Sequence, residues 1–168
     1  NNMLNPFSIS KKFIYDYTKK MCDNLKLDFV WFRIFFVYGK YQKKISLIPS
    51  ILSSLNRKEK PKINNPDNRN DFIHIDDVCS AINLAILKRN IRGIFNLGSG
   101  KTVDVKTIYN KILLKLNIKN NKFKLQKTKK INIKANYASI KKMKLHFKWK
   151  PRVNLSLGLD KIIKFYNG

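Results

Sequence analysis

The chain has 168 residues, 43% of them hydrophobic, and a formal net charge of +26 at neutral pH. This length suits one domain and this hydrophobic content suits a packed core, which excludes both a disordered tail and a pair of ordinary domains. No apolar run reaches the ~18 residues that a membrane-spanning helix needs and no signal-peptide pattern opens the chain, so we expect a cytoplasmic protein.

The first third of the chain predicts a helix, a strand and a second helix. Residues 8–25 carry apolar side chains close to a 3.6-residue period, with Pro6 just before them, which predicts an amphipathic helix. Residues 28–37 are almost all aromatic or β-branched and predict a strand that is covered on both faces. Residues 45–55 predict a second helix, in which Pro49 is tolerable only near the first turn.

The remaining segments continue the alternation of strand and helix, separated by turn sequences at residues 64–70 and 98–100. The predicted strands are residues 72–75, 93–97 and 123–126. The predicted helices are one that runs to about residue 88 with Asp76 and Asp77 as caps and one at 105–116 with Asp104 as N-cap, and the segments 140–145 and 155–166 complete the chain. This alternation predicts an α/β fold.

The excess of lysine has two interpretations. It favours binding of nucleic acid, anionic membranes or phosphorylated small molecules, or it is a compositional bias spread over solvated faces. The lysines do not form one block, and no zinc-finger, RNP-type or KH-type signature occurs, so we favour the second interpretation. Cys22 and Cys79 lack a Cys-x-x-Cys spacing and are interpreted as buried apolar residues, without a disulfide or a metal site.

Five segments carry a more specific pattern: NPFSISKKFIYDY, FRIFFVYGK, NDFIHIDDVCSAINLAI, GIFNLGSGKTVDV and FKWKPRVNLSLGLDKII. In this order they resemble motifs of the extended short-chain dehydrogenases, the NAD-dependent epimerase/dehydratase family of nucleotide-sugar enzymes. The resemblance implies an incomplete Rossmann-like fold with its last parallel strands and a small C-terminal substrate-binding subdomain. No glycine-rich dinucleotide loop occurs, so residues 1–168 would be the C-terminal portion of one such domain, with the glycine-loop half outside this chain.

The resemblance assigns the chemistry to the start of the first helix. The family has a Tyr-x-x-x-Lys pair there, in which the phenol (pKa ~10) carries a proton and the lysine provides the nearby cation and binds the nicotinamide ribose of NAD or NADP. Lys11 matches the lysine and is the catalytic and cofactor-binding candidate, whereas Phe7 occupies the tyrosine position and has no proton to exchange. Three interpretations follow: an inactive homologue, another group recruited for the proton, or a variant residue. Tyr15 is predicted to be rotated away from Phe7.

The resemblance also assigns residues to the ligands. Phe35 would pack near the nicotinamide, and Phe36 occupies a position that contacts the sugar nucleotide. Asn70 stands where the family has an arginine for the diphosphate, and Arg69 lies one residue earlier. Because an asparagine cannot pair bidentately with phosphate as arginine does, both residues are substrate-binding candidates. His74 is interpreted as a packed residue at a strand end, and no metal site is predicted.

The expected function is therefore that of an NAD(P)-dependent nucleotide-sugar epimerase, dehydratase or 4-keto-sugar reductase, with a nucleotide sugar as substrate, in surface polysaccharide biosynthesis. The resemblance also allows a homodimer through the helix that carries Lys11. Two alternatives stay open at this point. One is a catalytically inactive member that binds a nucleotide sugar or a partner protein, and the weaker one is a basic nucleic-acid-binding domain.

Overall fold

The computed structural model describes residues 5–119 and 135–167, which form six helices and six strands. The helices are α1 (Pro6–Asn24), α2 (Leu47–Asn56), α3 (Ile75–Leu87), α4 (Val105–Lys115), α5 (Lys141–Phe147) and α6 (Leu155–Asn167). The strands are β1 (Val30–Ile34), β2 (Phe36–Tyr38), β3 (Arg69–Asn70), β4 (Phe72–His74), β5 (Gly93–Leu97) and β6 (Val103–Asp104). The strand predicted at residues 123–126 lies outside the described residues.

The strands form three pairs, two of them parallel. β1 pairs with β5 in parallel from Val30↔Gly93 to Ile34↔Leu97, and β2 pairs with β4 in parallel from Phe36↔Phe72. β3 and β6 form a short antiparallel pair. The helices between the parallel strands make the crossover connections that such pairs require. The predicted α/β fold class with parallel strands is thus confirmed.

The strand predicted at residues 28–37 is interrupted at Phe35, so one continuous strand was wrong. The Phe35 N–H donates to the carbonyl of Leu97 (2.9 Å), whereas the Phe36 N–H donates to the carbonyl of Asp71 (3.1 Å). The backbone therefore changes partner from β5 to β4 at this point. Full coverage on both faces was also wrong, because the side chains of Ile34 and Phe36 are exposed.

Two hydrophobic clusters hold these elements together. The first joins α2, α4 and α6 to the end of β2 and contains the buried side chains Tyr38, Ile48, Leu52, Ile108, Tyr109, Ile112 and Leu159. The second joins α3 and α5 to the two parallel pairs and contains Ile73, Val78, Phe95, Leu97, Met143, Phe147 and Trp149. Tyr38 and Ile73 belong to the adjacent strands β2 and β4, so the pair β2–β4 links the two clusters.

Local sequence signals account for several helix ends. Asp104 accepts a hydrogen bond from the Thr107 N–H (2.6 Å), which confirms it as the N-cap of α4. Pro49 is the third residue of α2, in the first turn as expected, where its missing N–H removes no intrahelical bond.

The predicted cap of α3 was wrong. His74 is the N-cap, because its Nδ1 accepts from the Asp76 N–H (3.2 Å) and the helix begins at Ile75. Asp77 is buried and accepts instead from the backbone N–H groups of Arg152 (2.9 Å) and Val153 (3.0 Å). Asp77 was expected to cap α3, but its carboxylate instead holds the backbone at residues 152–153 by hydrogen bonds.

Helix α1 packs less tightly than its sequence suggests. None of its residues is buried, and its apolar side chains Phe7, Ile9, Phe13, Ile14, Tyr17 and Met21 are exposed. Cys22 of this helix is half-buried and Cys79 on α3 is exposed, and both thiols are free. The predicted burial of the two cysteines was wrong, because the side of α3 that carries Cys79 is exposed and the side of α1 that carries Cys22 is only partly covered. No helix among the described residues is long and apolar enough to cross a membrane.

Gly158 allows α6 to approach β2, and we expect Gly158→Ala to destabilise the fold. A Cβ atom at this position would overlap the Tyr38 hydroxyl and lie 2.8 Å from two carbons of its buried ring. Overpacking of this kind costs about 1–3 kcal/mol, although alanine is the better helix former by ~0.5–1 kcal/mol. Urea denaturation measures the difference. Ser156→Ala, at an exposed position of the same helix, is the matched control, and equal midpoints for the two variants would contradict the contact.

Candidate active site

The start of α1 fixes the geometry of Phe7 and Lys11. The Asn5 side chain accepts from the Phe7 N–H (3.0 Å) and Pro6 follows as the first helical residue, so the helix begins two residues before the predicted position. Residues four apart lie on the same helix face, and the Lys11 Nζ is 5.5 Å from the centre of the Phe7 ring. The lysine cation thus lies over an aromatic ring that has no hydroxyl, with both side chains exposed.

These two residues line a cavity of about 740 Å³ between α1 and β1. The floor is formed by Trp31, Phe32, Arg33 and Ile34 of β1. Tyr15 also lines this cavity and packs against Trp31 with ring centroids 5.4 Å apart. The rotation of Tyr15 relative to Phe7 amounts to about 80° over eight residues of a helix, which is not enough to turn Tyr15 out of this cavity. Tyr15 is therefore a phenol in the same cavity as Lys11.

The candidates for the sugar nucleotide lie elsewhere. Phe36 and Asn70 line a second cavity of about 370 Å³, together with residues of β2, α2 and the loop before β3. Neither of these two cavities includes Phe35 or Arg69. Phe35 is half-buried between β1 and β2, and Arg69 is exposed opposite Asp104 in the antiparallel pair. The structure thus groups Lys11 with Phe7, and Phe36 with Asn70, but does not bring the two groups into one cavity.

Asp71 organises the segment that carries Arg69 and Asn70. It is fully buried, and its Oδ1 accepts from the N–H and the hydroxyl of Ser99 (both 2.6 Å). Its Oδ2 accepts from the N–H groups of Gly100 (3.0 Å) and Ala138 (2.9 Å). This carboxylate joins the strand ends to the turn at residues 98–100 and to the segment at 136–138. Asn136 consequently forms a bridge to Asn70.

The sequence did not indicate that Asp71 and Asp77 join distant segments of the fold. Each carboxylate accepts from backbone N–H groups that are far away in the sequence. The only local signal was an aspartate next to a short apolar strand, and that signal also suits a turn or a helix cap.

The pKa values of Tyr38, His74 and Asp76, which lie at or next to the ends of β2 and β4, are shifted from their usual ranges. Burial lowers the pKa of the His74 imidazole, which is 1% exposed, so His74 is neutral at pH 7. The hydrogen bond from Lys161 (2.5 Å) lowers the pKa of the Asp76 carboxyl. Burial raises the pKa of the Tyr38 phenol, which argues against this tyrosine as a replacement proton carrier. The interpretation of His74 as a packed strand-end residue is confirmed.

The described residues contain no group of three or more His, Cys, Asp or Glu side chains that would suit a metal ion. The ligand candidates in these two cavities are lysine, asparagine and aromatic side chains, which are not a donor set for a divalent cation.

Comparison with known proteins gives the family. The sequence model of the NAD dependent epimerase/dehydratase family matches residues 2–98, which is more than half of the chain. The chain belongs to this family. The matched region contains the segments that carry Lys11, Phe36 and Asn70, and it ends after β5.

Solved structures of nucleotide-sugar dehydratases and epimerases share the fold of this chain. Dehydratase and epimerase structures superpose on almost all of the chain at low identity. A dTDP-glucose 4,6-dehydratase from Bacillus anthracis in complex with NAD has a TM-score of 0.84 at 22% identity, covering 98% of this chain and 52% of that one. A UDP-N-acetylglucosamine 4-epimerase from Methanobrevibacter ruminantium in complex with UDP-N-acetylmuramic acid has a TM-score of 0.83 at 22% identity, covering 99% and 58%.

A third match is a tyrosine-to-phenylalanine mutant of UDP-glucuronic acid 4-epimerase from Bacillus cereus, in complex with a fluorinated UDP sugar and NAD. It has a TM-score of 0.83 at 24% identity and covers 98% of this chain and 53% of that one. The chain thus spans about half the length of the solved structures that it matches. These matches confirm an extended short-chain dehydrogenase fold that is present in part.

Proposed function

We propose that this chain is the C-terminal part of an NAD(P)-dependent nucleotide-sugar epimerase, dehydratase or 4-keto-sugar reductase, in which Lys11 is the catalytic and cofactor-binding cation. The observation that carries the proposal is the pairing of Lys11 with an aromatic ring four residues earlier on an exposed helix face, above a cavity. Family membership supports the same assignment. A role in surface polysaccharide biosynthesis in the cytoplasm belongs to the proposal as well.

The residues present fit the nicotinamide end of the cofactor and not its diphosphate. All ten acidic residues of the chain lie in the described part, and none of them forms an ion pair with Lys11. Its ammonium group is therefore available to donate to ribose hydroxyls. NAD or NADP, when bound, supplies hydride transfer, whereas a glycine-rich loop for the diphosphate does not occur in this sequence.

The cavity between α1 and β1 supports a two-part arrangement. β1 pairs with β5 along one edge, and α1 has no buried residue, so among residues 5–119 and 135–167 this side has an unpaired strand edge and an uncovered helix. We infer that the glycine-loop half of the domain covers this side. The exposed apolar side chains of α1 are equally consistent with a homodimer through this helix.

On the substrate side, Phe36 and Asn70 would contact the nucleotide sugar, with Arg69 supplying the charge for its diphosphate. Asn70 alone offers an amide to a phosphate oxygen, which is weaker than a bidentate guanidinium. Phe35 would pack beside the nicotinamide if completion of the domain brings it next to Lys11.

The second candidate is a member that binds a nucleotide sugar or a partner without turnover, and Phe7 is the observation that favours it. The ring next to Lys11 is that of Phe7, which has no hydroxyl group to exchange a proton. The chain therefore lacks a proton carrier at this position unless the Tyr15 phenol takes that role.

We expect that co-expression with a glycine-loop half from the family will give a complex that binds UDP-glucose or dTDP-glucose, measured by calorimetry. Lys11→Met should lower NAD binding by the complex about tenfold or more, the effect of losing a hydrogen bond from a charged donor. Lys20→Met, an exposed lysine of α1 outside the cavity, is the matched control. Equal effects of the two variants, or no binding of any nucleotide sugar, would contradict the proposed function. Binding without turnover would favour the inactive member.

A further inference from the structure

A third cavity lies at the junction of β4, α3 and α6, away from the residues proposed for catalysis. Its volume is about 590 Å³, and it shares no residue with the cavities that contain Lys11 or Asn70. It is lined by Lys40, His74, Asp76, Lys161, Lys164 and Phe165.

His74 contributes a buried hydrogen-bond donor that the fold does not use. Its Nδ1 accepts from the Asp76 N–H, so the proton of the neutral imidazole resides on Nε2. Within the described residues this buried Nε2 has no hydrogen-bond partner. The Tyr38 ring packs nearly perpendicular to the imidazole, with centroids 5.2 Å apart. A buried donor without an acceptor costs stability, and such groups are rare in folded proteins.

The charge around this donor is positive. Lys161 is paired with Asp76, whereas Lys40 and Lys164 pair with none of the carboxylates that the structure describes, which include every Asp and Glu of the chain. The positive end of the α3 dipole lies at the same place, because His74 is the N-cap of that helix. The Lys40 Nζ lies 5.6 Å from the centre of the Phe165 ring, which forms an apolar wall.

A second basic cavity, which adjoins the first and shares Asp76 and Lys161 with it, provides an internal comparison. It has a volume of about 660 Å³ and contains Lys144, Lys148, Lys150 and Arg152. Its buried polar groups are all satisfied, because Asp77 accepts from two backbone N–H groups and the Trp149 Nε1 donates to Ser80 (2.8 Å). Lysines alone therefore do not distinguish a site in this lysine-rich chain, whereas the unused donor of His74 does.

We infer that the cavity at His74 binds a phosphate group, either inorganic phosphate or a phosphate monoester, with the Nε2–H of His74 donating to one oxygen and Lys40 and Lys164 neutralising the charge. A neutral N–H donor in a cavity that is also lined by two ammonium groups suits a compact dianion. The His74 Nε2 atom has almost no solvent-exposed surface, so binding requires a side chain that lines the cavity to move aside and admit a ligand oxygen. Lys40 and Lys164 are long exposed side chains that allow this movement.

The test is a titration of the ¹⁵N-labelled 168-residue chain with inorganic phosphate, followed through the imidazole nitrogens of His74 at constant ionic strength. We expect the Nε2 resonance to shift and saturate. Lys164→Gln should weaken the apparent affinity by about tenfold, since a hydrogen bond to a charged group is lost. Lys106→Gln, an exposed lysine on α4, is the matched control and should change the affinity less than twofold.

His74→Asn is a second variant that keeps an N-cap side chain for α3 but lacks the Nε2 donor. It should bind phosphate at least about tenfold more weakly by calorimetry. An unmoved Nε2 resonance, or equal weakening by Lys164→Gln and Lys106→Gln, would overturn the site and assign phosphate binding to the diffuse basic surface. Displacement of phosphate from His74 by a short DNA duplex at equal phosphate concentration, with tighter binding of the duplex, would likewise overturn it in favour of a nucleic-acid surface.

Discussion

Phe7→Tyr is expected to raise turnover by about 10²–10⁴-fold in the complex of this chain with a glycine-loop half, the usual contribution of a positioned acid–base group. The new hydroxyl would lie beside the Lys11 ammonium, which is 5.5 Å from the ring centre and provides the cation that a phenol needs to exchange a proton near neutral pH. Phe7 is 67% exposed, so the added oxygen displaces no packed group. Reduction of bound NAD after addition of a nucleotide sugar, followed by absorbance, measures the gain.

Tyr15 provides the control for this experiment. It lines the same cavity as Phe7 and Lys11 but packs against β1 through Trp31. If Phe7→Tyr restores the family chemistry, Tyr15→Phe added to it should leave turnover nearly unchanged, and Lys11→Met should remove the gain. If Tyr15→Phe instead abolishes the activity of the unmodified complex, Tyr15 is the recruited proton carrier. A Phe7→Tyr protein with no gain at all would contradict the assignment of the active site to this face of α1.

Asp71→Ala is expected to lower the free energy of unfolding by about 4 kcal/mol or more. The substitution removes a fully buried carboxylate and leaves the Ser99, Gly100 and Ala138 N–H groups without their acceptor, while the Ser99 hydroxyl keeps the Lys101 carbonyl (3.1 Å). Each unsatisfied buried donor costs ~1–3 kcal/mol, although such costs do not add fully. Because single domains are stable by only ~5–15 kcal/mol, this loss is close to unfolding the protein.

Urea denaturation of wild type and variant measures this loss. Asp160→Ala is the matched control, since that carboxylate is exposed and paired with Lys115 (2.6 Å), an arrangement worth at most about 1 kcal/mol. Asp71→Asn keeps the shape but turns one acceptor into a donor, so it should destabilise nearly as much. Similar midpoints for Asp71→Ala and Asp160→Ala would show that the carboxylate does not hold this junction together.

The helix boundaries show which features of the fold can be predicted from local sequence signals. Asp104 was recognised as an N-cap, and α4 ends within one residue of its predicted end, because periodicity and capping involve residues a few positions apart. The alternation of strands and helices predicted the α/β class for the same reason. The break at Phe35 was missed, since a run of aromatic and β-branched residues looks the same whether its backbone keeps one partner strand or changes to another.

For the candidate site, too, one feature could be predicted from sequence spacing and another depends on tertiary packing. The face shared by Phe7 and Lys11 follows from their spacing on a helix. The grouping of Phe36 with Asn70 in a cavity separate from Lys11 does not follow from sequence spacing. It depends on how β2 and β3 pack beside α2.

Local patterns in this chain were enough to identify its family and fold class and to select Lys11, since each depends on residues that are neighbours in the sequence. The roles of Asp71, Asp77 and His74 became visible only in the folded molecule. Asp71 accepts from residues 28 and 67 positions away and Asp77 from residues 75 and 76 positions away, and the unused Nε2 of His74 shows only once its surroundings are built. The physical reason is that a buried polar group takes its function from whichever donors and acceptors packing places around it, and that environment is a property of the tertiary structure.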